Sequence, residues 1–186
     1  MITDFSINFL QHSIIKWPHT ILNAANFITK NDNFIFKIVG SGSKFKWLKN
    51  EIKKNKNIKN KIILENFKKQ KKLILDYYNS DILLIILSKG DSLSKTIPNK
   101  FQNYLSIGKP ILCSGEGAVA NKIKKNNLGF VSMVDDSYDL YKTAKKMTNM
   151  SNDNMRKIHK RNKAYFNQNY TLEKNISKLE NILLKI

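Results

Sequence analysis

The chain has 186 residues, of which 41% are hydrophobic and 25% charged, a composition typical of one globular domain with its own core. The formal net charge of +19 predicts anionic partners, although only two of the 33 basic residues are arginine, and such lysine usage is typical of an AT-rich genome. The lone Cys113 excludes a disulfide framework and a thiolate metal site, and no apolar run is long enough to span a bilayer.

Apolar segments typical of strands alternate along the chain with segments of helical spacing. The predicted elements, in chain order, are a strand at Phe5–Leu10, a helix at Pro18–Thr29, a strand at Phe34–Val39, a helix at Lys44–Lys54, a strand at Lys61–Phe67, a helix at Lys69–Asn79, a strand at Asp81–Leu87, a helix from Pro98, a strand at Pro110–Cys113, a helix at Ala118–Asn126, a strand at Gly129–Met133 and three helices up to Ile186. The run from Ile82 to Leu87 does not alternate with polar residues, which indicates a strand covered on both faces. This order predicts an α/β fold, a parallel sheet whose strands are joined by right-handed crossovers through helices.

The sequence shows no internal repeat, flexible linker or shift in composition. We therefore expect a single domain over residues 1–186, with terminal helices at about 151–186. The N-terminus carries Asp4 and lacks a basic stretch followed by an apolar one, so no signal peptide is evident. Together with the single cysteine, this predicts a cytoplasmic protein.

The segment from Thr96 to Leu112 predicts a short helix between two buried strands. In an open parallel sheet, a helix that begins just beyond a strand's carboxyl end directs its backbone N–H groups at the crevice there. Pro98 suits the first turn because its missing N–H would have had no partner, and Lys100 adds a cation. Gly108 is the expected helix stop. These residues predict a phosphate-binding site.

The densest positive charge lies in two segments, Lys49–Lys61 and Lys68–Lys72. One interpretation is that they are solvated helix faces and loops. The other is a surface that meets anionic lipid or nucleic acid. No aromatic residues alternate with these lysines in a stacking pattern, and no helix-turn-helix or RNA-binding signature is present, so nucleic acid is the less favoured partner.

Three segments, Phe36–Gly42, Tyr77–Leu84 and Ile97–Pro110, occur in an order that resembles a known family. Together they are similar to the C-terminal, donor-binding half of a GT-B glycosyltransferase of family 4, a family of retaining enzymes. The resemblance extends from Phe5 to the terminal helices. It implies a Rossmann-like domain, a doubly wound parallel sheet with helices on both faces. Such a domain binds a nucleotide-diphosphate sugar without a metal ion or other cofactor. It also implies that the N-terminal, acceptor-binding GT-B domain is absent from this chain.

The resemblance places the donor in the crevice between the loops after the first and fourth strands. The family usually carries glycine and basic residues in the first of these loops. Here Lys16 is the expected phosphate cation, with His12 a weaker candidate. Lys100 is expected to meet the charge that develops on the leaving diphosphate. The predicted substrate-binding residues are Lys16, Gly40, Pro98, Lys100, Asn103 and Glu116, while the catalytic residues stay unassigned.

These assignments have plainer alternatives. Gly40, in the turn that closes the second strand, can simply permit that turn. Glu116 follows the fifth strand and either reaches the crevice or is an acid at the start of a helix. Pro98 suits a role in shaping the loop. Lys16 and Lys100 can both be solvated surface lysines in a lysine-rich chain.

Asn103 departs from the family pattern. Many relatives carry a glutamate five residues before the helix glycine, where its carboxylate accepts hydrogen bonds from the nucleotide ribose. An amide oxygen can still accept such a bond, but the charge is lost. Lys95 also stands where relatives carry a second acid, eight residues earlier.

The leading hypothesis is a glycosyltransferase half that transfers a sugar with retention to a glycan or lipid-linked acceptor in polysaccharide biosynthesis. Its expected partners are the nucleotide-sugar, the acceptor and a separate acceptor-binding subunit. A peripheral contact with the inner face of the membrane is also expected. The alternatives are a non-catalytic interaction or scaffold module of the same fold, favoured by Asn103 and Lys95, and a binder of anionic lipid or nucleic acid. The last helix is expected to expose apolar residues to the acceptor half, namely Ile176, Leu179, Ile182, Leu183 and Ile186.

Overall fold

The computed structural model describes residues 5–11, 18–87, 89–90 and 96–184. Within them, strands and helices alternate in the predicted order and then give way to three consecutive helices. In chain order these elements are β1 (Phe5–Gln11), α1 (Pro18–Asn26), β2 (Phe34–Gly40), α2 (Phe45–Lys54), β3 (Ile62–Asn66), α3 (Gln70–Asn79), β4 (Ile82–Ile86), α4 (Asn99–Ile107), β5 (Ile111–Ser114), α5 (Ala118–Asn126), β6 (Gly129–Ser132), α6 (Ser137–Thr148), α7 (Asn152–Asn169) and α8 (Leu172–Leu183).

The strands form one parallel sheet in the order β3-β2-β1-β4-β5-β6. This confirms the predicted doubly wound architecture. β1 pairs with β2 from Phe5 opposite Phe34 to Gln11 opposite Gly40, and it pairs with β4 where Ile7 lies opposite Ile82. The strand order therefore reverses between β1 and β4, the point at which open α/β sheets bind their ligands.

Two hydrophobic cores cover the sheet, one on each face. Alternate residues of β4 point to opposite cores, Ile82, Leu84 and Ile86 to one and Leu83 and Ile85 to the other. The first core also receives buried residues of α1, α2 and α6, and the second receives those of α3, α4 and α5. A strand with both faces buried has no polar side to present, which explains the continuous apolar run.

Helix α1 ends at Asn26, three residues before the predicted end at Thr29. The Asp32 carboxylate accepts hydrogen bonds from the backbone N–H of Thr29 at 2.8 Å and from its hydroxyl at 2.9 Å. These side-chain contacts form a turn that competes with a further helical turn. The difference in the boundary is thus a local effect of one aspartate.

Helix α4 ends at Gly108, as the sequence predicts, in the left-handed conformation with φ of 88°. The Gly108 N–H donates to the Tyr104 carbonyl at 3.0 Å, which satisfies one of the last helical carbonyls. A Cβ atom at this position would lie 2.8 Å from Cε1 and Nδ1 of His159 on α7. Glycine is therefore required here both by conformation and by the close approach of α7.

Four charged side chains connect β2, β3 and α3. Lys37 contacts Asp76 at 2.9 Å and Glu65 at 3.3 Å, and Lys68 contacts Asp76 at 2.8 Å. Burial opposes ionisation of Asp76, but hydrogen bonds from Lys68 and Lys37 outweigh it and hold the pKa of this carboxyl below its ordinary value. Lys68 therefore belongs to an ion cluster and is not one of the purely solvated lysines.

No helix among the described residues combines the length and hydrophobicity needed to cross a bilayer.

Candidate functional site

The site lies where β1 and β4 end side by side at the carboxyl edge of the sheet. The two loops that leave these strands are mostly outside the described residues. Lys16 and His12, predicted in the first loop, and Lys95, in the second, lie outside them as well. Their predicted roles stay predictions, and the described side of the crevice consists of α4 and the loop after β5.

Helix α4 begins at the crevice with Pro98 as its N-cap residue. Pro98 has φ of −67° and ψ of 146°, so it stands one residue before the helix and not inside the first turn. Its carbonyl accepts a hydrogen bond from the Phe101 N–H at 2.9 Å, while its own side chain has no capping group. The Phe101 N–H is thereby satisfied within the helix. The Asn99 N–H, at the first helical position, has no intrahelical acceptor, and the helix dipole gives this end of α4 a positive potential.

Buried aromatic side chains hold α4 in place. Phe101 and Tyr104 are fully buried, and the Tyr104 hydroxyl donates to the Leu84 carbonyl of β4 at 3.3 Å. The Tyr104 ring also packs against Tyr77 of α3 at a centroid distance of 5.3 Å. These contacts fix α4 relative to β4 and α3, and a preorganised anion site requires a helix held in place in this way.

Lys100 occupies the first turn of α4 and is half-buried. Burial lowers the pKa of its amine to about 7, because removing water penalises the charged form. A lysine with such a pKa is close to half-protonated at neutral pH. An anion bound beside it would favour the charged form and so draw a proton onto the amine.

Asn103 is exposed on the outer face of α4, one turn beyond Lys100. Its backbone carbonyl accepts a hydrogen bond from the Ser106 hydroxyl at 2.8 Å. The buried side of the helix is formed by Phe101, Tyr104 and Leu105. Asn99, Lys100 and Asn103 therefore share a polar face that starts at the crevice.

The loop after β5 packs closely against the end of β4. The Leu87 N–H donates to the Ser114 carbonyl at 2.9 Å, and a Cβ atom at Gly115 would lie 2.8 Å from the Leu87 Cβ atom. Only glycine permits this approach. Glu116 follows as an exposed residue just before Gly117, the N-cap of α5. The structure thus brings Glu116 to the same edge of the sheet as α4.

Gly40 lies elsewhere along that edge. It is buried at the end of β2, where it pairs with Gln11 of β1 on one side and Asn66 of β3 on the other. It belongs to the sheet ladder, one strand away from the β1–β4 junction. A role for Gly40 in contacting the donor stays a prediction.

Asp135, which is not among the predicted site residues, also reaches this edge. It follows β6 with φ of 55°, an uncommon conformation for a residue other than glycine, and its carboxylate accepts a hydrogen bond from the Lys89 N–H at 3.4 Å. The pair Asp135–Asp136 after a strand is the only sequence signal for it. In the described part of the chain, no group of three or more His, Cys, Asp or Glu side chains is placed to hold a metal ion.

The family model for glycosyl transferases group 1 matches residues 10–166, most of the chain. The chain belongs to this family. Comparison with curated protein sequences finds no significant match.

Solved structures share the fold of this glycosyl transferases group 1 chain. HepE of Anabaena superposes with a TM-score of 0.79 at 13% identity, over 99% of this chain and 49% of its own. A glycosyltransferase of Rickettsia africae gives 0.78 at 18% identity, over 96% and 47%. TarM of S. aureus gives 0.77 at 14% identity, over 96% and 35%. The fold is that of the C-terminal domain of a GT-B protein, and the chain spans half or less of the length of these three proteins.

Proposed function

We propose that this chain is the donor-binding half of a retaining GT-B glycosyltransferase of family 4. It binds a nucleotide-diphosphate sugar in the β1–β4 crevice and supports transfer of the sugar to a glycan or lipid-linked acceptor in polysaccharide biosynthesis. The observation that carries the proposal is the start of α4, where helix N–H groups and the half-buried Lys100 meet at the switch point of the sheet. HepE, which shares the fold, has been solved with UDP and glucose and with UDP-glucose.

The charge that this site stabilises is that of the leaving diphosphate. When the bond between the anomeric carbon and the β-phosphate oxygen breaks, the diphosphate keeps the electron pair. The acceptor oxygen bonds to the anomeric carbon and releases its proton to the diphosphate. The donors of α4 and the Lys100 ammonium offset the negative charge that develops, in the way an oxyanion hole does. No metal ion or other cofactor is proposed for this step.

Asn103 stands at the position from which a glutamate of many relatives contacts the nucleotide ribose. Its amide oxygen can accept a hydrogen bond from a ribose hydroxyl and its amide nitrogen can donate one. A neutral acceptor makes a weaker bond than a carboxylate does. The proposal therefore includes weaker ribose binding than in relatives with a glutamate there.

An acceptor-binding half is proposed to cover the outer face of α8. Leu172, Ile176, Leu179 and Leu183 follow the three- and four-residue spacing of one helix face and are all exposed. Ile182 is exposed as well, as predicted, while Ile186 lies outside the described residues. An apolar stripe of this kind marks an interaction surface. The partner proposed for it is a separate acceptor-binding subunit.

We place the protein in the cytoplasm. The only cysteine, Cys113, is buried, and burial raises the pKa of its thiol to about 12, so that it is neither a disulfide partner nor a reactive thiolate. This supports a reducing compartment.

Isothermal titration of the folded chain with a panel of UDP-, GDP-, ADP- and other nucleotide sugars tests the proposal. One nucleotide class should bind, and the free nucleoside diphosphate should bind as the sugar conjugate does or more tightly. A folded protein that binds none of them would contradict the proposal.

A second candidate is a non-catalytic module of the same fold, and the neutral Asn103 is the observation that favours it. Such a module would bind no donor, or would bind it without supporting transfer. Mixing the chain with an acceptor-half protein and measuring sugar release separates the two functions. Restored transfer would exclude the non-catalytic module.

A further inference from the structure

A second group of exposed apolar side chains lies on β3, at the open edge of the sheet, and on α3. Five large apolar side chains of β3, α3 and the segment between them are 38% to 61% exposed. We call this surface the α3 patch; its members are Ile63, Phe67, Ile74, Leu75 and Tyr78. Scattered exposed apolar residues are ordinary, but a group of five on two adjacent elements is a candidate binding surface.

The backbone places the β3 and α3 residues on the same side of the sheet. On α3, Ile74 and Leu75 lie one turn before Tyr78, whereas Asp76 and Tyr77 point into the protein. On β3, Ile63 shares a face with Glu65, because residues two apart in a strand point the same way. Glu65 contacts Lys68, which contacts Asp76 of α3, so this face of β3 is the one beside α3.

Lysines border the α3 patch at its carboxyl-edge end. Lys69, Lys71 and Lys72 are exposed, while Lys68 is engaged with Asp76. Lys71 and Lys72 lie in the first turn of α3, which has no acidic residue, and Lys69 makes no side-chain cap. Cations at a helix N-terminus are unfavourable for the helix itself. Their position has an energetic cost that an anionic partner would offset.

We propose that the α3 patch and its bordering lysines bind the surface of an anionic lipid bilayer. The apolar side chains enter the interfacial region, and the lysines meet the acidic headgroups. β3 is an edge strand that pairs only with β2 among the described strands, so a planar surface can approach without meeting the rest of the sheet. The lysines lie at the edge of the sheet that carries the crevice.

The chemistry of the surface favours lipid over other anionic partners. Its cations are lysines, whose ammonium groups are compact point charges. They lack the planar guanidinium with which arginine binds a phosphate or carboxylate through two hydrogen bonds. A second copy of this chain is disfavoured because the formal net charge is +19. The inference about lipid does not depend on the proposed enzymatic function, and donor titration stays informative if lipid binding fails.

Co-sedimentation with vesicles tests the proposal on the full chain. We expect binding to phosphatidylcholine vesicles that contain phosphatidylglycerol, little binding to phosphatidylcholine alone, and weakening by added salt. The variant Lys71→Gln/Lys72→Gln should bind at least about tenfold more weakly, since each lysine near an anionic surface contributes about fivefold. The matched control is Lys53→Gln/Lys54→Gln, an equally charged pair of exposed neighbours in the last turn of α2.

A second pair of variants tests the apolar part. Leu75 on α3 and Leu183 on α8 are both 61% exposed. Leu75→Glu should abolish vesicle binding, and Leu183→Glu should leave it within about twofold, because only the first lies on the α3 patch. Circular dichroism confirms that each variant is folded.

The outcomes separate the alternatives. If both lysine double variants lost vesicle binding equally, the binding would depend on overall charge, and the proposal would be overturned. Loss with Leu183→Glu but not with Leu75→Glu would assign the lipid surface to α8. Tighter binding to RNA than to vesicles, with the same dependence on Lys71 and Lys72, would make this a nucleic-acid surface. Failure of the folded protein to bind any anionic vesicle would also overturn it.

Discussion

In the proposed site, Lys100 should make donor binding depend on pH. Its amine has a pKa of about 7 in the free protein because burial disfavours the charge, and a bound diphosphate raises that pKa. The complex then holds more protons than the free protein, so affinity must fall as pH rises above the free-protein pKa. We expect the affinity for the nucleoside diphosphate to fall by up to about tenfold per pH unit between about pH 7 and pH 9, as measured by calorimetry.

The matched substitution for this prediction is at Lys46. Lys46 is the second residue of α2 and Lys100 the second residue of α4, and both helices start at the same edge of the sheet. Lys100→Gln should remove the slope with pH and lower the affinity at neutral pH. Lys46→Gln should leave both unchanged. A pH-independent affinity in the unmodified protein would contradict the assignment of Lys100.

Asn103 sets the strength of ribose binding in the proposed site. The variant Asn103→Glu replaces a neutral acceptor with a charged one, and a charge-assisted bond is stronger by about 1 kcal/mol. We expect UDP or the preferred nucleotide to bind about fivefold more tightly, with no gain for pyrophosphate, which lacks a ribose.

Gln102→Glu is the control for Asn103→Glu, because it places the same charge one residue away on α4. It should not tighten nucleotide binding. An equal gain for pyrophosphate, or an equal gain from Gln102→Glu, would show that Asn103 does not face the ribose.

At the level of single residues, the sequence predicts where a helix stops but not the surroundings of a side chain in the folded protein. Gly108 as a helix stop follows from local patterning. The lowered pKa of the Lys100 amine does not, because it depends on how far the folded chain removes the amine from water. Asp135 was missed for the same reason: its approach to Lys89 joins loops after β4 and β6.

Among the elements, the end of α4 is the position most sensitive to a single methyl group. Gly108→Ala places a Cβ atom at φ of 88° and 2.8 Å from His159, so it adds a clash to the conformational cost. Gly90→Ala places one at φ of 70° with nothing within 4 Å. We expect Gly108→Ala to lower the free energy of unfolding by about 1–3 kcal/mol more than Gly90→Ala does, in urea denaturation.

The double variant Gly108→Ala/His159→Ala separates the two costs. Removing the imidazole relieves the clash and leaves only the backbone conformation. Its stability, relative to His159→Ala alone, should fall by an amount close to that of Gly90→Ala. Equal effects of Gly108→Ala and Gly90→Ala in the unmodified background would show that α7 shifts away without cost.

Helices and strands are largely predictable from the sequence because apolar residues recur with a different spacing in each. The continuous run at Ile82–Ile86 indicates a central strand, and the structure buries it on both faces. Boundaries are less predictable, as the Asp32 turn after α1 shows. The neighbour order of the strands cannot be read from periodicity at all, and the resemblance to GT-B domains was needed to expect a crevice between the first and fourth.

Across the whole molecule, the lysines that produce the net charge of +19 lie in different environments. Lys37 and Lys68 are neutralised within the ion cluster, while Lys69, Lys71 and Lys72 remain exposed beside apolar side chains. The sequence alone could not separate these roles, because they differ in tertiary contacts and not in local pattern. Within the described residues, three surfaces carry the proposals: the crevice, the α3 patch and the apolar stripe of α8.

The central claim is that a nucleoside diphosphate binds where α4 meets the end of β4. Amide NMR of the full chain during titration with UDP and GDP tests the location directly. We predict shifts at residues 99–101 and 115–118, with none at residues 29–32 on the opposite edge of the sheet. Absence of shifts with every nucleotide, or shifts confined to that opposite edge, would contradict the account.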